Sequence, residues 1–106
     1  MIISTTETIQ GREIQKTIGL VRGNTIRARH IGRDIMAAIR TLVGGEIAEY
    51  TKLMAEAREQ ALDRLEAEAT RLGANAGVSD RFSTSGVLGG SAELLAYGTG
   101  VVISDE

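Results

Sequence analysis

Apolar residues recur every three or four positions over residues 46–72, and this spacing predicts one long amphipathic helix. The stretch contains neither Pro nor Gly and is rich in Ala, Glu, Leu and Arg, which are strong helix formers. Its apolar stripe consists of Ile47, Tyr50, Leu53, Met54, Ala57, Ala61, Leu65, Ala69 and Leu72. Gly73 follows as the expected left-handed residue that ends the helix.

The opposite face of this helix is polar and mostly acidic, with Glu49, Lys52, Glu56, Glu59, Asp63 and Glu66. Such a row most often forms a solvated helix face. At ~1.5 Å per residue the helix would be about 40 Å long, whereas a small domain is about 30 Å across. We therefore expect part of the apolar stripe to face another subunit.

Before the helix, alternating apolar residues predict strands over residues 12–21 and 25–30. Gly23-Asn24 between them makes either a two-residue hairpin or a kink in one long strand. Residues 33–43 then have the spacing of a short helix, and Gly44-Gly45 joins that helix to the long one.

After the helix, Ala76, Val78 and Phe82 alternate as in a strand, with Asp80 expected on the same face. Residues 83–90 are rich in Ser and Gly, which predicts a flexible loop. Residues 92–103 are apolar at both parities, as in a strand covered on both faces. The order β-β-α-α-β-β predicts a single α+β domain over residues 1–106, an antiparallel sheet packed on one short and one long helix.

Composition limits the functional classes. The chain has 106 residues and no Cys, so it forms neither a disulfide nor a thiolate metal site. The sequence contains no signal peptide and no apolar run of membrane-spanning length, which leads us to expect a cytoplasmic protein without a membrane partner.

The charges are unevenly distributed along the chain. Residues 1–43 carry seven basic and three acidic side chains, and the remainder carries five basic and eleven acidic ones. The two halves would then complement each other within or between subunits. The alternative is that the arginines bind an anion such as nucleic acid, but no aromatic residues are interleaved with them for base stacking, so we do not expect nucleic acid.

Candidate metal ligands are sparse. His30 is the only histidine, and one His without Cys cannot form a zinc-type site within one chain, although symmetry in an oligomer could supply more ligands. The metal candidates are His30, Asp34 and Glu68. Glu68 is also placed to pair with Arg64 one helical turn away.

Other candidate sites are an anion site and a buried carboxylate. The anion candidates are Arg33, Gly44 and Gly45, since a Gly-Gly pair before a helix forms either a hinge or an anion nest. A buried Asp80 would need a partner, for which an N-terminal arginine is the expected residue. No nucleophile, phosphate-loop or dinucleotide motif occurs. We therefore expect no catalytic residues, no organic cofactor and no enzymatic activity.

Several short segments occur in a specific order: Ile31-Gly32-Arg33-Asp34-Ile35, Val43-Gly44-Gly45-Glu46, Leu72-Gly73-Ala74-Asn75-Ala76 and Tyr97-Gly98-Thr99-Gly100-Val101. Together with residues 20–28 they make nearly the whole chain resemble the YbjQ-like family of small uncharacterised proteins labelled heavy-metal-binding.

The resemblance implies a subunit similar to dodecin-like folds and a ring-shaped homo-oligomer, with a pentamer as the expected state. It supplies no defined set of metal ligands. Two functional hypotheses follow. The first is a structural or scaffold-like assembly whose partner is itself. The second is binding of a heavy metal or a small anion at the subunit boundaries of the ring.

Overall fold

The computed structural model describes residues 1–27, 48–87 and 91–105. Within them the elements are β1 (Ile2–Ile3), β2 (Ile14–Arg27), α1 (Ala48–Arg71), β3 (Ala76–Val87) and β4 (Ser91–Ile103). The strands form one sheet in the order β1-β3-β4-β2, with α1 packed on one face, which confirms the α+β class. The predicted short helix at 33–43 lies outside the described residues.

The sheet is mixed, so the prediction of an antiparallel sheet is wrong in one respect. β4 runs antiparallel to both β2 and β3, but β1 is parallel to β3. Parallel pairing is possible because β1 and β2 lie at opposite edges of the sheet, and residues 4–13 carry the chain from one edge to the other.

Helix α1 covers β2 and β4 with the predicted stripe. Ala57, Ala61, Leu65 and Ala69 are fully buried and pack with Val21, Leu94 and Ala96 from the sheet. The molecule's own sheet therefore covers this part of the stripe, and any part that faces another subunit lies outside these four residues. The side chains of residues 48–53 lie outside the description. Gly73, with φ 94°, ends the helix as predicted.

β2 is one continuous strand through Gly23-Asn24, so the hairpin alternative is wrong. α1 crosses β2 at Gly23, where an added Cβ would overlap the Leu65 amide nitrogen and lie 2.8 Å from the Arg64 carbonyl carbon. Gly23 therefore allows the backbone of α1 to contact β2 directly, and it does not form a turn.

The other face of the sheet, here called the outer face, is covered at one end only. There Ala76, Val78, Val101 and Ile103 form a second apolar cluster with Ile9 and Ile14. At the other end Leu20, Ile26 and Tyr97 are 60%, 61% and 37% exposed. Their strand partners place all three on this face. β4 is thus covered on both sides over part of its length, as predicted, and open over the rest.

β3 contains a bulge that the alternation of its sequence does not predict. Val78 pairs with Thr99 and Arg81 with Tyr97, so Ser79 and Asp80 together oppose the single residue Gly98. The extra residue reverses the direction of the side chains. Asp80 and Phe82 consequently face α1, whereas Ala76 and Val78 face outward, and the prediction that all four share a face is wrong.

β3 then continues to Val87 and pairs with β4 as far as Val87↔Ser91. The loop predicted for residues 83–90 is therefore wrong over its first five residues, because ladder hydrogen bonds to β4 outweigh the weak strand propensity of Ser and Gly. Residues 88–90 lie outside the description. None of the described helices is long and apolar enough to cross a membrane.

Candidate functional site: a buried carboxylate beside an apolar groove

Asp80 is the only charged residue that is buried in the described part of the chain, with 6% of its surface exposed. The bulge holds it there: Ser79 has a left-handed φ of 53°, and its amide donates to the Thr6 carbonyl at 2.8 Å. The Asp80 amide donates to the Ser4 carbonyl at 3.0 Å. Backbone bonds to the segment after β1 thus fix the direction of the Asp80 side chain.

Two glycines provide the space for the Asp80 carboxyl group. A Cβ on Gly98 would overlap Asp80 Oδ1 and lie 2.7 Å from its Cγ, and a Cβ on Gly77 would lie 3.0 Å from Oδ2. Any other residue at position 98 would displace the carboxyl group. Gly98, on β4, is the residue that the bulge faces across the ladder.

Neither carboxylate oxygen of Asp80 has a hydrogen-bond partner among the described residues, and both are shielded from solvent. Burial raises the pKa of Asp80 from 3.8 to about 6. The backbone of Ser4 and the charge of Arg81 lower this pKa, but by less than burial raises it. The Arg81 guanidinium instead donates to the carbonyl oxygens of Thr5, at 2.8 Å, and of Asp80 itself, at 2.9 Å. The predicted pairing with an N-terminal arginine is not found among the described residues.

Asp80 borders an open groove of about 390 Å³ on the helix face of the sheet. The walls of the groove are largely apolar and consist of Ile3, Ser4, Thr5, Leu62, Arg81 and Phe82 together with Asp80. The groove exists because α1 lies over β2 and β4 and leaves this part of β3 uncovered, so that Phe82 is 46% exposed.

Glu68 is the only predicted metal or anion ligand that the described residues include. Its Oε1 accepts a hydrogen bond from the Arg22 amide at 3.3 Å. Arg64 does not pair with Glu68 as predicted, but donates from Nη1 to the Asn24 carbonyl at 2.6 Å. Both side chains therefore bond to the backbone of the edge strand β2, and Glu68 has a structural contact. The other candidates, His30, Arg33, Asp34, Gly44 and Gly45, lie outside the described residues.

The sequence contains a partial signal for this site. Asp80 interrupts an apolar strand pattern, and a buried carboxylate needs space as well as a partner. The glycines that supply the space, Gly77 and Gly98, are far apart in the chain. Only the register of β3 against β4, shifted by the bulge, brings Gly98 to Asp80. The sequence pattern therefore indicates the residue but not its surroundings.

Comparison with known proteins gives consistent matches over the whole chain. A family model described as "Putative heavy-metal-binding" matches residues 1–104. A UPF0145 protein of Methanosarcina acetivorans is 55% identical over 103 residues, which cover 97% of each chain. A UPF0145 protein of Archaeoglobus fulgidus is 54% identical over 101 residues, covering 95% of this chain and 94% of that protein.

Among solved structures, a protein of unknown function from Pediococcus pentosaceus, assigned to the DUF74 family, superposes with a TM-score of 0.60. It is 18% identical to this chain, and the match covers 98% of both. At this identity the similarity shows a shared fold and nothing more.

The described residues do not fit a heavy-metal site. They contain no group of three or more His, Asp or Glu side chains placed to hold a metal ion. Soft metals prefer thiolate and imidazole ligands, but the chain has no Cys and its single His lies outside the description. Asp80 offers one carboxylate between apolar walls, whereas hard cations need about six oxygen ligands.

Proposed function

The chain belongs to the YbjQ family of UPF0145 proteins, as its motifs predicted, and on this premise we propose that it is the subunit of a ring-shaped homo-oligomer. The assembly has a scaffold-like or binding role in the cytoplasm and no catalytic activity of its own. Five subunits is the number that the family resemblance implies. The main support is the open end of the outer face.

That open end is an unusual surface for a subunit that remains alone. Leu20, Ile26 and Tyr97 leave between 37% and 61% of their surface exposed on two adjacent strands, and Arg22 and Asn24 lie between Leu20 and Ile26 on β2. A sheet face that exposes several large apolar side chains is a candidate interaction surface. Each such side chain gains roughly 1–3 kcal/mol when a partner buries it fully.

The dimensions of the subunit support the same conclusion. A compact domain of this length has a radius of gyration of about 13 Å. The Cα atoms of this chain have a radius of gyration of 17.1 Å, and the principal extents are 54 × 25 × 16 Å. An elongated subunit buries less of its own apolar surface than a compact one, so association adds more to its stability.

The outer face is a better candidate interface than the edge of β2. Arg64 and Glu68 already bond to the Asn24 carbonyl and the Arg22 amide of this edge strand. Side chains that occupy the free backbone groups of an edge protect it from pairing with another strand. Copies would therefore associate through the side chains of the outer face and not by extending the sheet at β2.

The test is the mass of the protein in solution, measured by light scattering. We expect a multiple of the 11.3 kDa chain mass. The double variant Leu20→Lys, Ile26→Lys places two charges on the outer face and should reduce the mass toward 11.3 kDa. Leu72→Lys is the matched control, because Leu72 is 40% exposed but lies beyond the end of α1. A wild-type protein that is monomeric at micromolar concentration would refute the assembly.

A further inference from the structure

We propose that the groove beside Asp80 is a binding site for a soluble organic cation, an ammonium group on a short aliphatic stem. The family description refers to heavy metals and does not describe such a ligand. The proposal does not depend on the ring, because the groove and the carboxyl group belong to a single chain.

The groove has a size and lining that suit the stem of such a molecule. Its volume of about 390 Å³ falls within the range of small-molecule sites, which is roughly 300–1,000 Å³. Ile3, Leu62 and Phe82 supply apolar walls, and Phe82 presents about half of its surface. An aromatic ring beside a carboxylate favours a cation, since the ring face attracts positive charge.

The carboxyl group supplies the charge and is not neutralised by the groups around it. Arg81, on the same strand, bonds to carbonyl oxygens. On α1, Glu66 lies one turn beyond Leu62 and pairs with the Met1 amino group at 3.5 Å. The β4 residue beside the Asp80 carboxyl group is Gly98, which carries no charge. Arg81 and Glu66 are thus bonded to other groups, and neither oxygen of Asp80 has a bonded counterion among the described residues.

Access to the Asp80 oxygens requires one small movement. A Cβ atom built on Gly77 would lie 3.2 Å from Ile3 Cδ1 and 3.0 Å from Asp80 Oδ2. The Ile3 side chain therefore lies beside the carboxyl group. Ile3 belongs to the two-residue strand β1, which is paired on one side only. Binding therefore requires the Ile3 side chain to move aside, so that an ammonium group reaches the oxygen.

The binding test is calorimetric titration of n-butylammonium chloride into the protein at pH 8 in an amine-free buffer. We expect saturable binding to the wild type and binding that is roughly tenfold to a hundredfold weaker for Asp80→Asn, because a hydrogen bond to a charged group is lost. n-Butanol has the same stem without the charge, and it should bind as weakly to the wild type as butylammonium binds to Asp80→Asn. Glu56→Gln removes an exposed carboxylate of α1 that lies six residues before Leu62, and it should leave the affinity unchanged.

A second variant separates loss of the site from loss of the fold. Leu62→Trp fills the groove and leaves Asp80 in place, so it should also weaken binding at least tenfold while the melting transition is retained. Equal affinity of wild type and Asp80→Asn for butylammonium would overturn the proposal, as would equal binding of butanol. Absence of binding, combined with a lower oligomer mass for Asp80→Asn, would overturn it too, because a basic side chain of another copy would then occupy the site.

Discussion

The buried carboxyl group of Asp80 should make the protein less stable as the pH rises, and Asp80→Asn should remove this effect. The pKa of Asp80 is about 6 in the folded protein and 3.8 as its ordinary value. Between these two pH values the folded state binds more protons than the unfolded state, so the free energy of unfolding falls as the pH increases. Well below pH 3.8 both states are protonated and the effect is absent.

The size of the effect follows from the same two values. One pH unit corresponds to about 1.4 kcal/mol, so the difference reaches up to about 3 kcal/mol above pH 7. The groove is open on one side and solvent screens part of the charge, so we expect about 1–3 kcal/mol. For a domain of this length this corresponds to a melting temperature that is roughly 5–15 °C higher for Asp80→Asn at pH 8.

The assay is thermal unfolding followed by circular dichroism at pH 4 and pH 8, at equal protein concentration and without organic amines in the buffer. The melting temperature of Asp80→Asn should exceed that of the wild type by only a small amount at pH 4 and by several times more at pH 8. Asp63→Asn is the control, because Asp63 is exposed and should show no such difference. If Asp80→Asn melts below the wild type at pH 8, the ionised carboxylate has a stabilising partner and the reasoning is refuted.

Two further substitutions test the glycine positions by the same melting assay. Gly98→Ala should lower the free energy of unfolding by roughly 1–3 kcal/mol, because the added Cβ overlaps Asp80 Oδ1. Asp80→Gly in the same chain should recover much of this loss. Additive effects of the two substitutions would show that the two residues do not share this space. Gly23→Ala should cost at least as much and should not be recovered by truncating a side chain, because its Cβ meets the backbone of α1; a stability equal to wild type would mean that the helix does not cross β2 there.

The sequence predicts the fold well where the spacing of apolar residues fits a single type of secondary structure. The stripe of Ala57, Ala61, Leu65 and Ala69 has helical spacing, and α1 buries these four residues. β4 is apolar at both parities, and its two faces pack against different clusters. In both cases local spacing and burial agree, so no information from distant residues is needed.

The errors arise where a distant contact decides the structure. Gly23-Asn24 has the composition of a turn, yet the crossing of α1 requires a glycine in a straight strand. The alternation from Ala76 to Phe82 predicts a single face, yet the bulge at Ser79 and Asp80 divides it. Asp80 stands out as a misfit in the strand pattern, but the pattern does not locate Gly98, because the proximity of the two residues depends on the register between two strands.

The contacts within one chain also change which apolar surface is available for self-association. The length of the helix suggested that part of its apolar stripe needs a second subunit, but four residues of that stripe are completely covered within one chain. On the opposite face of the sheet, the large apolar side chains that the described residues leave exposed are Leu20, Ile26 and Tyr97. Burial of one face by α1 leaves the outer face as the surface whose burial adds stability. The groove at Asp80 lies on the helix face, so copies that associate through the outer face would leave it open to a ligand.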